Sequence, residues 1–171
     1  MKEQNLARDD HAIPVKYVIP LTEMIGIDQE ETSLLQSMAS EAEAYLNSFS
    51  WCRSVQARYF GAGIGGVVGV FFFQIRPSRL DVDIWLWVIV GDLPAAYLVV
   101  DECKTPSEAL TAYIWEMKRW VKLAEKGKSS PHVIPVNVPM TREWAKQLGS
   151  RLRFLEFNVL PSFKESEIER A

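Results

Sequence analysis

The stretch from Asp83 to Asp101, DIWLWVIVGDLPAAYLVVD, leaves the chain few folds to choose from. Successive side chains of a strand point to opposite faces, so Asp83, Trp85, Trp87 and Ile89 share one face while Ile84, Leu86, Val88 and Val90 share the other. Both faces are apolar, and a strand of that kind has to be covered twice. Gly91-Asp92-Leu93-Pro94 then makes a tight turn. Gly91 permits positive φ, the Asp92 carboxylate can accept from nearby backbone amides, and Pro94 fixes φ on the way into a second strand over Ala96 to Val100.

The elements before this hairpin lead into it. Asp28-Gln29-Glu30-Glu31 forms a capping box in which Asp28 accepts from the amide three residues on and Glu31 reaches back. The helix it opens carries Leu34, Met38, Ala42, Tyr45 and Phe49 on one face. Arg53 to Phe60 alternates as a strand, and the glycine-rich run Gly61 to Gly66 turns it into VVGVFFFQI, whose β-branched and aromatic residues favour a strand. Pro14 to Leu21 is apolar with a proline at each end, which suits an extended segment or an edge strand.

After the hairpin, Thr105-Pro106-Ser107-Glu108 is a helix start with Thr at the cap and Pro in the first turn. Leu110, Tyr113, Ile114, Met117, Val121 and Ala124 form its apolar stripe, as far as about Glu125. A loop with three prolines, SSPHVIPVNVP, leads to a last helix from Thr141 with Trp144, Leu148, Leu152, Leu155 and Val159 on one face, ending before Pro161. Strands and helices are segregated rather than alternating. That order predicts an α+β fold: a four-stranded antiparallel meander sheet with one N-terminal helix and two C-terminal helices packed on it. Residues 1–27 read as an extended arm, 28–163 as a single domain and 164–171 as a polar, frayed tail.

A chain of 171 residues with 48% hydrophobic and 24% charged side chains can build a full core. The apolar run Ile84 to Val90 is too short to cross a bilayer, and the first twenty residues lack the apolar core of a secretory signal. A cytoplasmic protein with no membrane association is expected. Residues 1–100 carry 7 basic and 12 acidic side chains and residues 101–171 carry 12 and 10, an asymmetry too mild to imply nucleic acid.

Most chemical motifs fail on context. Gly61 to Gly66 matches G-x-G-x-x-G with Asp81 twenty residues on, but it leads into a strand where a dinucleotide site needs a helix N-terminus. No cofactor is expected. His11 and His132 have no partner ligands at helical spacing, so no metal site is read. Cys52 and Cys103 form no C-x-x-C pair and read as reduced, partly buried thiols.

Two features remain as candidate sites. Asp81 and Asp83 enter one strand of the hairpin and Asp101 and Glu102 leave its neighbour, which brings four carboxylates to one end of the sheet, a set able to do acid-base work or hold a divalent ion. The second is aromatic. Trp85 and Trp87 lie on an apolar face that a second subunit could cover, and Trp115 projects about 140° from Leu110 around its helix, beside Thr111, Lys118 and Lys122. A tryptophan off the core stripe is a candidate partner anchor. Phe154 and Phe157 also leave their stripe and could extend the core or an oligomer contact.

The segment WVIVGDLPAAY, followed by Pro106 and the helix Glu108-Ala109-Leu110, resembles small bacterial proteins, a domain of unknown function, that share a Trp-rich strand, a G-D-L-P-x-x-Y turn and a helix capped through proline. The resemblance implies that Gly91, Asp92, Pro94 and Tyr97 form a defined surface feature, and it carries no activity. The function expected from the residues is binding: a protein partner or self-association as a homodimer, and in its specific form an immunity-type protein that neutralises a toxin. Candidate contacts are Asp81, Asp83, Trp85, Trp87, Asp92, Tyr97, Asp101, Glu102 and Trp115. The alternatives are a hydrolase using the acidic cluster, with or without metal, and a purely structural homodimer.

Overall fold

The computed structural model describes residues 16–128, 130 and 132–171. Residues 1–15 of the expected arm, His11 among them, and two loop positions, Ser129 and Pro131, lie outside the described residues.

Among the described residues the architecture is α+β, with an antiparallel sheet and three helical rods, the last of them made of two α-helical parts. Along the chain come β1 (Ile19–Pro20), α1 (Gln29–Asn47), β2 (Cys52–Ile64), β3 (Val68–Pro77), β4 (Trp85–Gly91), β5 (Ala96–Val99), α2 (Pro106–Glu125) and α3 (Arg142–Phe154), which continues through a π-helical segment (Leu155–Val159) into α4 (Leu160–Arg170). Among the described residues the sheet is a meander in the order β1-β2-β3-β4-β5 and has five strands, not four. The extra one is the proline-flanked segment, where Ile19 faces Phe60 and Pro20 faces Tyr59. Proline cannot donate to a ladder, so this strand stays two residues long at the edge.

Both faces of β4 are buried by the chain itself. Trp85, Trp87 and Ile89 join a core with Leu110, Tyr113 and Met117 of α2 and Leu148, Leu152 and Val159 of the last helix. Leu86, Val88 and Val90 join a second core with Leu35, Met38, Ala42 and Leu46 of α1. No second subunit is needed to cover the sheet. On α1 the buried stripe is centred on Leu35, Ala39, Ala42 and Leu46, while Leu34 is left exposed. The expected stripe shares Met38 and Ala42 with the buried one and is offset from it by about 60°, a little over half of the step between neighbouring helix residues.

The capping box at α1 forms by halves. Asp28 accepts from the Glu31 amide at 2.8 Å, but the Glu31 side chain leaves the helix and accepts from the Gly65 amide at 2.7 Å, so it locks the β2–β3 hairpin tip onto α1. Gly61, Gly63 and Gly65 of that hairpin serve close packing. β2 runs on through Gly61 to Ile64, and a Cβ on Gly61 would sit 2.9 Å from Pro106 Cγ and 3.2 Å from the Trp87 ring.

At the C-terminal end the helix does not stop before Pro161. Proline has no N–H for the carbonyl four residues back, and the wide π turn at Leu155–Val159 absorbs the mismatch while Leu155, Val159, Leu160 and Phe163 stay buried. Residues 164–170, expected to fray, are helical. Lys118 pairs with Glu156 at 2.5 Å and Ser107 with Glu167, so this last rod runs antiparallel to α2. Among the described residues no helix is long and apolar enough to cross a membrane.

Candidate functional site

Three of the four carboxylates come together and the fourth does not. Asp81, Asp83 and Asp101 line a cavity of about 260 Å³ with Leu80, Ile84 and Val100, whereas Glu102 faces a different groove. The Asp81 carboxylate is held by Arg79 through two bonds of 3.0 Å. Because β4 begins only at Trp85, Asp81 and Asp83 sit in the preceding turn rather than on the strand. Among the described residues no group of three or more His, Cys, Asp or Glu side chains is arranged to hold a metal ion.

Trp85 and Trp87 are core residues and not contact points. Trp85 stacks on Phe72 with ring centroids 5.2 Å apart and planes at 8°, and the buried Trp87 donates from Nε1 to the Cys103 carbonyl oxygen at 2.9 Å. The two cysteines are buried and free. Burial pushes the Cys103 thiol up to about 11, with Glu102 and Glu108 adding to it, and burial likewise raises the Cys52 thiol. Protonated thiols are poor nucleophiles, which fits the structural reading of both residues.

The Gly91–Tyr97 segment is built by contacts to distant elements. Gly91 has φ +149°, and a Cβ there would meet the Val67 carbonyl oxygen at 2.2 Å. The Asp92 amide donates to that same oxygen at 3.1 Å. The Asp92 carboxylate, expected to accept from local amides, instead takes Arg151 Nε of α3 at 3.1 Å. Pro94 accepts from the Tyr113 hydroxyl of α2 at 2.5 Å. Tyr97 closes a half-exposed aromatic cluster, with ring centroids 5.5 Å from Phe49, 5.2 Å from Trp51 and 6.5 Å from Tyr45. Burial, with Tyr97 contributing, raises the Tyr45 phenol to about 12, so it stays neutral across the physiological range.

A cavity of about 750 Å³ opens beside this turn, walled by Tyr45, Phe49, Pro94, Val138 and Trp144. The larger groove, about 890 Å³, runs along β5. Tyr97, Leu98 and Val99 form one wall; Glu108, Thr111, Ala112, Trp115 and Glu116 of α2 form the other; Glu102, His132 to Ile134 and Lys164 complete it. Trp115 is 60% exposed. The Arg119 guanidinium lies 5.0 Å from its ring centroid and is itself held by Glu116 at 3.3 Å. The indole is therefore left largely open at the groove, with one guanidinium over its ring.

Of the nine residues expected as contacts, the groove unites Tyr97, Glu102 and Trp115. Asp92 lies at the neighbouring cavity, the three aspartates at the small one, and the two strand tryptophans are inside. Glu108 and Glu116 were missed as site residues, although their spacing with Ala112 puts them on one helix face. Phe154 and Phe157 are exposed on the last helix, away from this groove.

No family model, no curated protein sequence and no solved structure matches the chain.

Proposed function

We propose that this chain is a cytoplasmic protein-binding module, of the immunity type that holds a toxin partner in check, and that the groove along β5 is its contact surface. The observation that carries this reading is Trp115, a large aromatic left 60% exposed at the rim of the groove and steadied by Arg119. Buried tryptophans at the centre of interfaces are commonly worth about 2 kcal/mol or more on truncation, which is about thirtyfold upward in Kd. Both faces of the sheet are already covered within one chain, so the remaining unspent aromatic surface faces outward for a different molecule. No activity comes to this chain from the likeness of its Gly91–Tyr97 turn to small bacterial proteins.

The hydrolase alternative draws no support from the geometry, because Glu102 is parted from the three aspartates and Asp81 is held by Arg79. The test of the binding reading is paired capture from the native host with the wild-type chain and Trp115→Ala, identification of any stoichiometric polypeptide, and titration of that purified protein against both. A partner that binds the wild type and loses at least about tenfold with Trp115→Ala supports the reading. Equal affinity for the two chains ends it.

A further inference from the structure

We infer that the partner enters this groove as an extended basic segment and adds a sixth strand to the free side of β5, an inference that rests on the protein-binding reading above.

The two edges of the sheet are treated differently. An edge strand exposes a row of unpaired amides and carbonyls, and proteins blunt such edges with short strands, prolines, charges or bulges. The β1 edge is blunted by its two-residue length and by Pro20. The β5 edge, Ala-Tyr-Leu-Val, has no proline and no charge, and its ladder to β4 runs from Ala96 to Val99 without a register break. Among the described residues no strand pairs with its far side. The groove lies along it, so the backbone template and the space for an added strand coincide.

The walls state what such a strand would carry. Glu102, Glu108 and Glu116 line the groove with Lys164, and Glu116 is already paired with Arg119, which leaves two carboxylates, Glu102 and Glu108, against one ammonium. That imbalance favours arginine or lysine. Ala96 and Leu98 belong to the core on the α2 side, whereas the Tyr97 ring lies with Phe49 and Trp51 on the opposite side. An added strand has the same alternation. Its residues on one face meet Trp115, Glu108 and Glu116, and those on the other extend the apolar patch of Tyr97. Strand addition of this kind draws affinity from main-chain hydrogen bonds and specificity from alternate side chains. The occupant is therefore a segment alternating basic with apolar residues, with Trp115 packing against the aliphatic stem of a lysine or arginine.

The test uses the full chain and a synthetic end-blocked peptide of alternating arginine and valine, its glutamate-valine counterpart, and two N-methylated forms of the basic peptide. The forms carry methyl groups on one or the other alternate set of amides. Successive amides of a strand point to opposite edges, so one form must lose binding by at least about tenfold while the other retains it. Hydrogen exchange must slow at amides of β5 when the basic peptide is bound, and Glu102→Lys with Glu116→Lys must weaken it at least about tenfold. Binding of both methylated forms alike, with β5 exchange unchanged, overturns strand addition while leaving the groove as a protein-binding site. Equal binding of the acidic peptide, or no binding of the basic one at about 1 mM, overturns the inference, and the Trp115 titration with the captured partner judges the broader reading separately. A dimer by light scattering whose β5 amides are protected without peptide makes a second copy the occupant and also overturns it.

Discussion

Trp87 Nε1 donates to the Cys103 carbonyl oxygen at 2.9 Å and so ties the central strand to the connection between β5 and α2. Both residues are buried, so the bond has no water to replace it. Trp87→Phe removes the donor, leaves that carbonyl unsatisfied and shrinks a ring packed 4.7 Å from Phe72. The expected loss is about 2–4 kcal/mol, from cavity and unmet hydrogen bond together. It is read as a lower denaturant midpoint at unchanged slope.

The same residue shows how much was legible beforehand. Period-two alternation places Trp87 on a buried face whatever covers it, and the α2 start was readable because Thr105, Pro106 and Glu108 act within one turn: Thr105 Oγ1 accepts from the Glu108 amide at 3.2 Å, and Glu108 accepts from the Lys104 amide at 2.5 Å. Trp115 was legible because helical geometry alone takes it off the stripe. What failed depended on distant partners. Glu31 completes a local box in sequence, but a hairpin tip 34 residues away takes its carboxylate. Pro161 is a local stop that burial of Val159 and Phe163 overrides at the cost of a π turn. The groove draws on β5, α2, the following loop and Lys164, and no local pattern in any one of them announces the other three.

Gly91 is the position in the turn least able to accept another residue. Its φ of +149° and the 2.2 Å approach of a built Cβ to the Val67 carbonyl oxygen strain any side chain. Gly91→Ala is expected to cost at least about 2 kcal/mol. Gly66→Ala provides the comparison. Its φ is +74° with open space around it, so only the backbone term applies, about 1 kcal/mol. A thermal melt of the two variants, matched in buffer and concentration, separates clash from conformation.

Glu43 on α1 and Arg58 on β2 pair at 2.7 Å and 2.5 Å. The Arg58 hydrogen bonds, aided by its charge, hold the Glu43 carboxyl below its ordinary value of 4.5, against a smaller opposing effect of burial. A carboxyl lowered in the folded state stabilises it above the unfolded value and loses that contribution as pH falls through the folded one. The stability difference between wild type and Glu43→Gln is therefore level at neutral pH and shrinks below about pH 4.5. Side-chain exposures of 40% for Arg58 and 28% for Glu43 allow solvent screening, which limits the plateau to under about 1 kcal/mol. Urea titrations from neutral pH to pH 3 check this. A difference that grows on acidification contradicts the assignment.

Glu167 reaches across from α4 to the start of α2, where its carboxylate accepts from the Ser107 amide at 2.7 Å and from the Ser107 hydroxyl at 2.5 Å. The first amides of a helix have no partner within it, and a carboxylate there also meets the positive end of the helix dipole. Ser107 is 4% exposed, so losing this partner leaves a buried donor unmet. Glu167→Ala is expected to cost about 1–2 kcal/mol, Glu167→Gln less, and Glu165→Ala, at an exposed position, within about 0.5 kcal/mol. Faster hydrogen exchange over residues 160–170 should accompany the alanine variant, because the end of α4 is fastened to α2 at this point. Lys164 is carried on the same turn and lines the β5 groove, so loosening α4 also frees an ammonium that offsets the Glu102 and Glu108 carboxylates. The basic peptide should then bind Glu167→Ala no more weakly than the wild type, even as the fold loses stability; parallel loss of both contradicts the separation of the two roles.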